Sequence, residues 1–163
     1  MNNKVEEIYH VQNPALGATI LWQFICGYKS VNFEPVPFPL LFIVLPLIYT
    51  EDLCVVISKT QRRTGLSKVS EKLFRDKMND ELYAINNFAI ALREVTLKSF
   101  NMGLSTGLFH IEISSAMVYP SSECLKNSFN HEINILLDSA EKLGEWCAAL
   151  TLREISELLK VRF

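Results

Sequence analysis

Hydrophobic positions in this chain recur at helical spacing along most of its length. Asn13 followed by Pro14 supplies an N-cap and a proline suited to a first helical position, so a helix is expected from there to about Tyr28. Its apolar residues Leu16, Ile20, Phe24 and Tyr28 form one stripe, and Leu21, Trp22 and Ile25 add a second side. Such a helix is expected to be covered almost all round. Residues 1–12 show no such period and read as an N-terminal arm. The next apolar segment, Pro35 to Thr50 (PVPFPLLFIVLPLIYT), contains no charge and carries prolines at 35, 37, 39 and 46. It is shorter than the roughly 20 apolar residues a transmembrane helix needs. Pro39 is suited to open a helix that Pro46 ends or kinks. Too apolar to stay in water, the run is expected to be buried, either in this chain's own core or against a partner subunit.

Glu51 and Asp52 suit the first turn of a short helix reaching about Lys59. Gln61-Arg62-Arg63-Thr64-Gly65 is a loop whose paired arginines fit either a solvated turn or a contact with phosphate or an acidic partner. Ser67 is expected to cap the helix SKVSEKLFRDKM, and Asn79-Asp80 a longer one from Glu81 to about Leu104. Leu82, Ile85, Ala89, Leu92, Val95 and Met102 form its core-facing stripe. After Gly107 the period changes: residues 108–113 and 116–120 read as two short strands around Ser114-Ser115. Helices leading into a hairpin give a winged-helix-like outline over about residues 66–120, an arrangement used against DNA or against protein. A further helix is expected from about Asn130 to Leu150, with Trp146 beside its apolar face. Thr151 and Glu154 form the capping box of a last, short one. The ending Val161-Arg162-Phe163 either docks on the chain's own core or inserts into a partner. The expected fold is mainly α, one domain over 1–163, with a small two-stranded β wing.

Composition changes this picture little but charge narrows it. Apolar residues make up 49% of the 163 and the mean hydropathy is +0.17, which suits a subunit or a large well-packed core. A formal net charge of −2 gives no general attraction to nucleic acid or anionic lipid. A DNA-reading helix should present several Arg or Lys, whereas the stretch from Ile85 to Leu104 offers Arg93 and Lys98 with Glu94 beside them. Cys26, Cys54, Cys124 and Cys147 form no CxxC pair, and His10, His110 and His131 supply no ligand cluster. Buried thiols in a reducing cytosol are therefore expected. The opening MNNKVEEIYH lacks the apolar region of a secretory signal, so a cytoplasmic location without membrane contact is expected. Neither a Gly-rich phosphate loop, nor G-x-S-x-G, nor H-E-x-x-H, nor nuclease carboxylates with a nearby E-x-K occurs. No enzymatic activity and no cofactor are expected.

Several blocks together resemble a known family: Asn-Pro-Ala-Leu-Gly-Ala-Thr-Ile-Leu-Trp-Gln-Phe at 13–24, Pro-Phe-Pro-Leu-Leu-Phe-Ile-Val-Leu-Pro-Leu at 37–47, Ala-Leu-Arg-Glu-Val-Thr-Leu at 91–97 and Ala-Glu-Lys-Leu-Gly-Glu-Trp at 140–146. Their order and spacing are similar to the small middle component of bacterial three-component ABC systems. The closing Ser-Glu-Leu-Leu-Lys-Val-Arg-Phe resembles the family's tail, with Lys160 where glycine would be expected. The resemblance implies an accessory subunit of a Lamassu-type anti-phage defence complex. It would join an SMC- or Rad50-like ABC ATPase to an effector, often a nuclease, and restrain or license it. ATP, magnesium and DNA chemistry would belong to those partners. Candidate contact elements are the 13–28 helix, the 35–49 run, the Arg62-Arg63 loop and the tail, with Trp22, Phe38, Leu41, Arg62, Arg63, Arg162 and Phe163 as candidate partner-binding residues. A winged-helix transcription regulator and a small-molecule sensor are the alternatives.

Overall fold

Local capping signals start the helices at both ends of the chain where the sequence puts them. A computed structural model describes residues 13–75, 79–122 and 129–163; the expected arm at 1–12, Cys124 and the side chain of Leu82 lie outside them. Helix α1 spans Pro14–Asn32, with Asn13 Oδ1 accepting from the Ala15 N–H at 2.9 Å and Phe33 closing it in the left-handed region. The uncharged run then folds as a two-residue strand β1 (Val36–Pro37), a 3-10 helix (Phe38–Ile43) and helix α2 (Val44–Tyr49). Helix α3, Glu51–Lys59, leaves it at 96°. No single described helix is long and apolar enough to cross a membrane.

A 3-10 turn at Arg62–Thr64 leads into α4, Gly65–Arg75, followed by α5 (Asn79–Ala91) and α6 (Arg93–Ser105). Three expectations change here, the first being that Asn79 and Asp80, expected as caps of a helix from Glu81, already lie inside α5. Helix α4 begins at Gly65 rather than being capped by Ser67. The expected long helix is two, broken at Leu92 (φ −92°, ψ 5°). The break turns the second half so that Val95, Thr96, Ser99 and Phe100 are buried, while Met102 at the end of the expected stripe is exposed.

The hairpin follows as expected, β2 (Phe109–Glu112) pairing antiparallel with β3 (Met117–Pro120). It is widened to three strands in the order β1-β3-β2, because Val36 and Pro37 lie opposite Val118 and Met117. Pairing places Val36, Phe109 and Val118 inward, and stacks His110 on Tyr119 at 5.2 Å. Helix α7 (His131–Ala148) is capped by Asn130 Oδ1 accepting from the Ile133 N–H. The last helix, α8 (Leu152–Leu159), has the expected Thr151–Glu154 capping box. Lys160 ends it at φ 55°, the left-handed conformation for which glycine is the usual residue, which accounts for the glycine expected there.

Helix α1 is the spine of the molecule. It packs most extensively on α7, and next most on α6. Two glycines permit the first crossing. A Cβ on Gly27 would stand 2.0 Å from the Glu141 carbonyl oxygen, and one on Gly144 2.1 Å from that of Phe24. The two backbones touch. Beneath α1, the uncharged run supplies Leu40, Leu41, Ile43, Val44, Leu45, Leu47 and Ile48, every one almost fully buried. The question left by the sequence is thus answered for most of the run, which is the chain's own core, while Phe38, Pro39 and Phe42 reach the surface. Cys54 and Cys147 are buried free thiols as expected, and burial pushes both thiol pKa values up. Cys26 departs from the expectation, being disulfide-bonded.

Candidate functional site

The surface feature of most interest begins with helix α5, which has two apolar sides. Ile85 points into the core, whereas Tyr83 and Ile90, seven residues apart and so on one face, stay 59% and 74% exposed. That outward face borders a groove whose other walls are the 3-10 helix, through Phe38 and Phe42, and the end of α8 with the tail, through Val161 and Phe163. Two concavities of about 790 and 440 Å³ meet along it and share Phe42, Asn86 and Ala89.

Each wall has a physical cause. Phe38 is half-buried because its ring packs on Phe100 at 4.9 Å and edge-on to Phe42 at 5.3 Å, inside the three-strand side of the core. The tail is tied down by Asn86, which donates from Nδ2 to the Lys160 carbonyl (2.8 Å) and accepts at Oδ1 from the Arg162 N–H (3.1 Å). Ser156 Oγ donates to the Val161 carbonyl at 2.5 Å. Val161 is thereby buried, while Phe163 remains 46% exposed at the groove's end. The tail therefore docks on its own core at Val161 and offers Phe163 outward. Replacing Asn86 with alanine removes both bonds, each worth about 1 kcal/mol. The Arg162 amide should then exchange with deuterium several-fold faster while amides in α1 and α7 keep their protection; an unchanged Arg162 rate would contradict this anchoring role.

Charge on the groove is one-sided. Arg93, Lys160 and Arg162 stand exposed on its rim, and none of them forms an ion pair among the described residues. The groove's carboxylate, Glu157, is held by Arg153 Nε at 3.0 Å.

Arg62 is differently placed from what an anion-binding loop would need. Its guanidinium lies across α7, pairing with Glu145, with Asp138 at 2.5 Å and with Glu141 at 3.2 Å. Its carbonyl accepts from Trp146 Nε1 at 2.6 Å. Burial acts to lower the Arg62 pKa, but the three carboxylates outweigh it and the net shift is upward. Glu145 moves up instead, first by burial and then through Glu141 and Asp138, against the pull of Arg62. This arginine fastens the 62–64 turn to α7. The adjoining Lys142 is buried and donates to the Ser58 carbonyl at 2.9 Å, satisfying the C-terminal end of α3. Arg63 stays exposed and bonds Gln61 at 2.9 Å.

Of the candidate contact residues, Phe38, Arg162 and Phe163 meet in one groove. Trp22 (5% exposed) and Leu41 (0%) are withdrawn from the candidate surface, since both lie inside the chain's own core. Arg62 is occupied by intramolecular pairs, and Arg63 lies apart from the groove. Sequence reasoning missed Tyr83, Asn86 and Ile90. The signal was present: Tyr83 and Ile90 are large apolar residues off the Ile85–Ala89–Leu92 stripe, where a helix with only one buried face would carry polar residues. Among the described residues no group of three His, Cys, Asp or Glu could hold a metal ion.

Neither the curated proteins nor the solved structures gave a match to this chain. A family model did, described as ABC-three component (ABC-3C) system Middle Component 3 and matching residues 1–163. With its whole length covered by that match, the chain belongs to the Middle Component 3 family of ABC-three component systems.

Proposed function

We propose that the chain is a non-catalytic accessory subunit of an anti-phage defence assembly of the Lamassu type, working in the cytoplasm. It joins an SMC- or Rad50-like ABC ATPase to an effector nuclease and restrains or licenses that effector. Membership of a three-component family supports an accessory role alongside other components. The structural observation that carries the reading is the groove beside α5. There Tyr83, Ile90, Phe42 and Phe163 form adjoining apolar surface on a chain that already has a large core of its own. Contiguous exposed apolar surface is a mark of protein contact. Arg62 and Lys142, which charge alone would offer to an anion, are used internally.

The test is co-expression with the other two components of the same system. A tag on this chain should bring down both of them in a complex stable to gel filtration. A chain that elutes alone as a monomer, from cells in which the other two are folded, would defeat the proposal.

The regulator reading makes a different demand. The exposed cations of α6 are Arg93 and Lys98, and Lys98 is paired to Glu94 at 2.7 Å, which leaves this helix poor in charge for the phosphate backbone. Isolated protein should accordingly show no salt-sensitive binding to duplex DNA.

A further inference from the structure

The groove has a composition that selects its occupant. Its apolar lining comes from Phe42, Ala89, Ile90 and Phe163, whereas Arg93, Lys160 and Arg162 line it beside one side-chain carboxylate, Glu157, which is paired with Arg153. This local positive excess sits on a chain whose formal net charge is −2. Arg93 opens the first turn of α6, while Lys160 ends α8 and Arg162 lies in the tail beyond it. The cations thus come from two parts of the fold.

We propose that the groove receives a short acidic, amphipathic peptide segment belonging to one of the other two components. Its large apolar side chains would lie against Phe42 and Ile90, and its carboxylates would meet Arg93 and Arg162. This rests on the accessory-subunit reading for the source of the segment. Duplex nucleic acid fits the rim but not the floor: with its bases stacked inside, its phosphate backbone gains nothing from an aliphatic and aromatic trough between its charges. A guanidinium that is free of competing carboxylates can pair a peptide carboxylate in two parallel hydrogen bonds. Asn86 fixes the bank that carries Arg162, so the site is largely formed before the segment arrives.

The complete chain, carrying a fluorescent label, is offered to overlapping peptides of about 15 residues that tile both other components. Tiles that bind should be net acidic and carry two or more large apolar residues, and their binding should weaken as salt is raised. Ile90→Glu and Arg162→Glu should each weaken it by about tenfold or more. Ile113→Glu, at an exposed hairpin position that does not line the groove, should leave it unchanged. Restoring binding to Arg162→Glu by changing the tile's carboxylates to lysine would assign the charge contact directly. Circular dichroism of each variant should match the parent, since both groove positions are exposed.

Three outcomes overturn the inference. One is that no tile binds. Another is that the binding tiles are basic or wholly polar. The third is that Ile90→Glu and Arg162→Glu bind as the parent does. Duplex DNA that competes with the tiles, and loses binding on Arg162→Glu, would assign the groove to nucleic acid instead. Failure of the accessory-subunit reading looks different. In that case the parent chain does not purify with the other components at all, whereas failure of the groove alone leaves that complex intact in both variants.

Discussion

Replacing Gly144 with alanine should destabilise the fold by roughly 3 kcal/mol, at the upper end of overpacking effects. Helix propensity alone predicts the opposite sign, since alanine is favoured over glycine in a helix interior by about 1 kcal/mol. Packing decides the outcome. The new methyl carbon would fall 2.1 Å from the Phe24 carbonyl oxygen and 2.8 Å from the Tyr28 nitrogen, and both are backbone atoms of α1 that no rotamer change can move aside. Helices α1 and α7 must separate, loosening the largest helix contact in the molecule. Gly27→Ala forces the same separation from the other side, so the double variant should cost clearly less than the sum of the two singles. Urea unfolding of the three variants measures both effects. A stabilised Gly144→Ala would mean that the helices do not cross this closely.

Leu41→Ala should cost about 2–5 kcal/mol, the range for a fully buried leucine truncated in a packed core. For a domain with the usual total of about 5–15 kcal/mol, that is enough to lower the unfolding midpoint steeply. Phe163→Ala is the informative contrast. With Phe163 46% exposed, its truncation should leave the midpoint almost unchanged and act on complex formation instead. Chemical denaturation beside co-purification separates the two. If Leu41→Ala kept its stability and lost only the complex, the run from Pro35 to Thr50 would be an interface and not the core.

Most helix starts were legible because caps are local; Ser67 and Asn79-Asp80, which lie inside their helices, are the exceptions. Asn13-Pro14, Asn130 and the Thr151–Glu154 box all act where the sequence places them, and α3 begins at the acidic pair Glu51-Asp52. The burial of the uncharged run was legible too, but not what buries it, because composition cannot say which distant segment supplies the cover. Only the fold brings α1 and α7 to it. The break at Leu92 involves no proline or glycine, and the third strand is two residues long, so neither leaves a period to detect. Arg62 shows the same limit for charge. Asp138, Glu141 and Glu145 form an i, i+3, i+7 stripe that the sequence displays openly, yet their pairing with an arginine some eighty positions earlier is a tertiary fact.

The candidate site was half visible for related reasons. Phe38, Arg162 and Phe163 stood out as apolar or charged groups near chain features, while the helix face that completes the groove was hidden by its own core stripe. Trp22 and Leu41 belong to the 13–28 helix and the 35–49 run, whose apolar character favours burial as much as contact.

The central claim is that this chain joins the two other components, and omitting it tests that claim most directly. With the ATPase tagged and all three components co-expressed, the effector should co-purify. When this chain alone is left out, the effector should be lost from the ATPase although both remain soluble. Retention of the effector at an undiminished level in its absence would contradict the account.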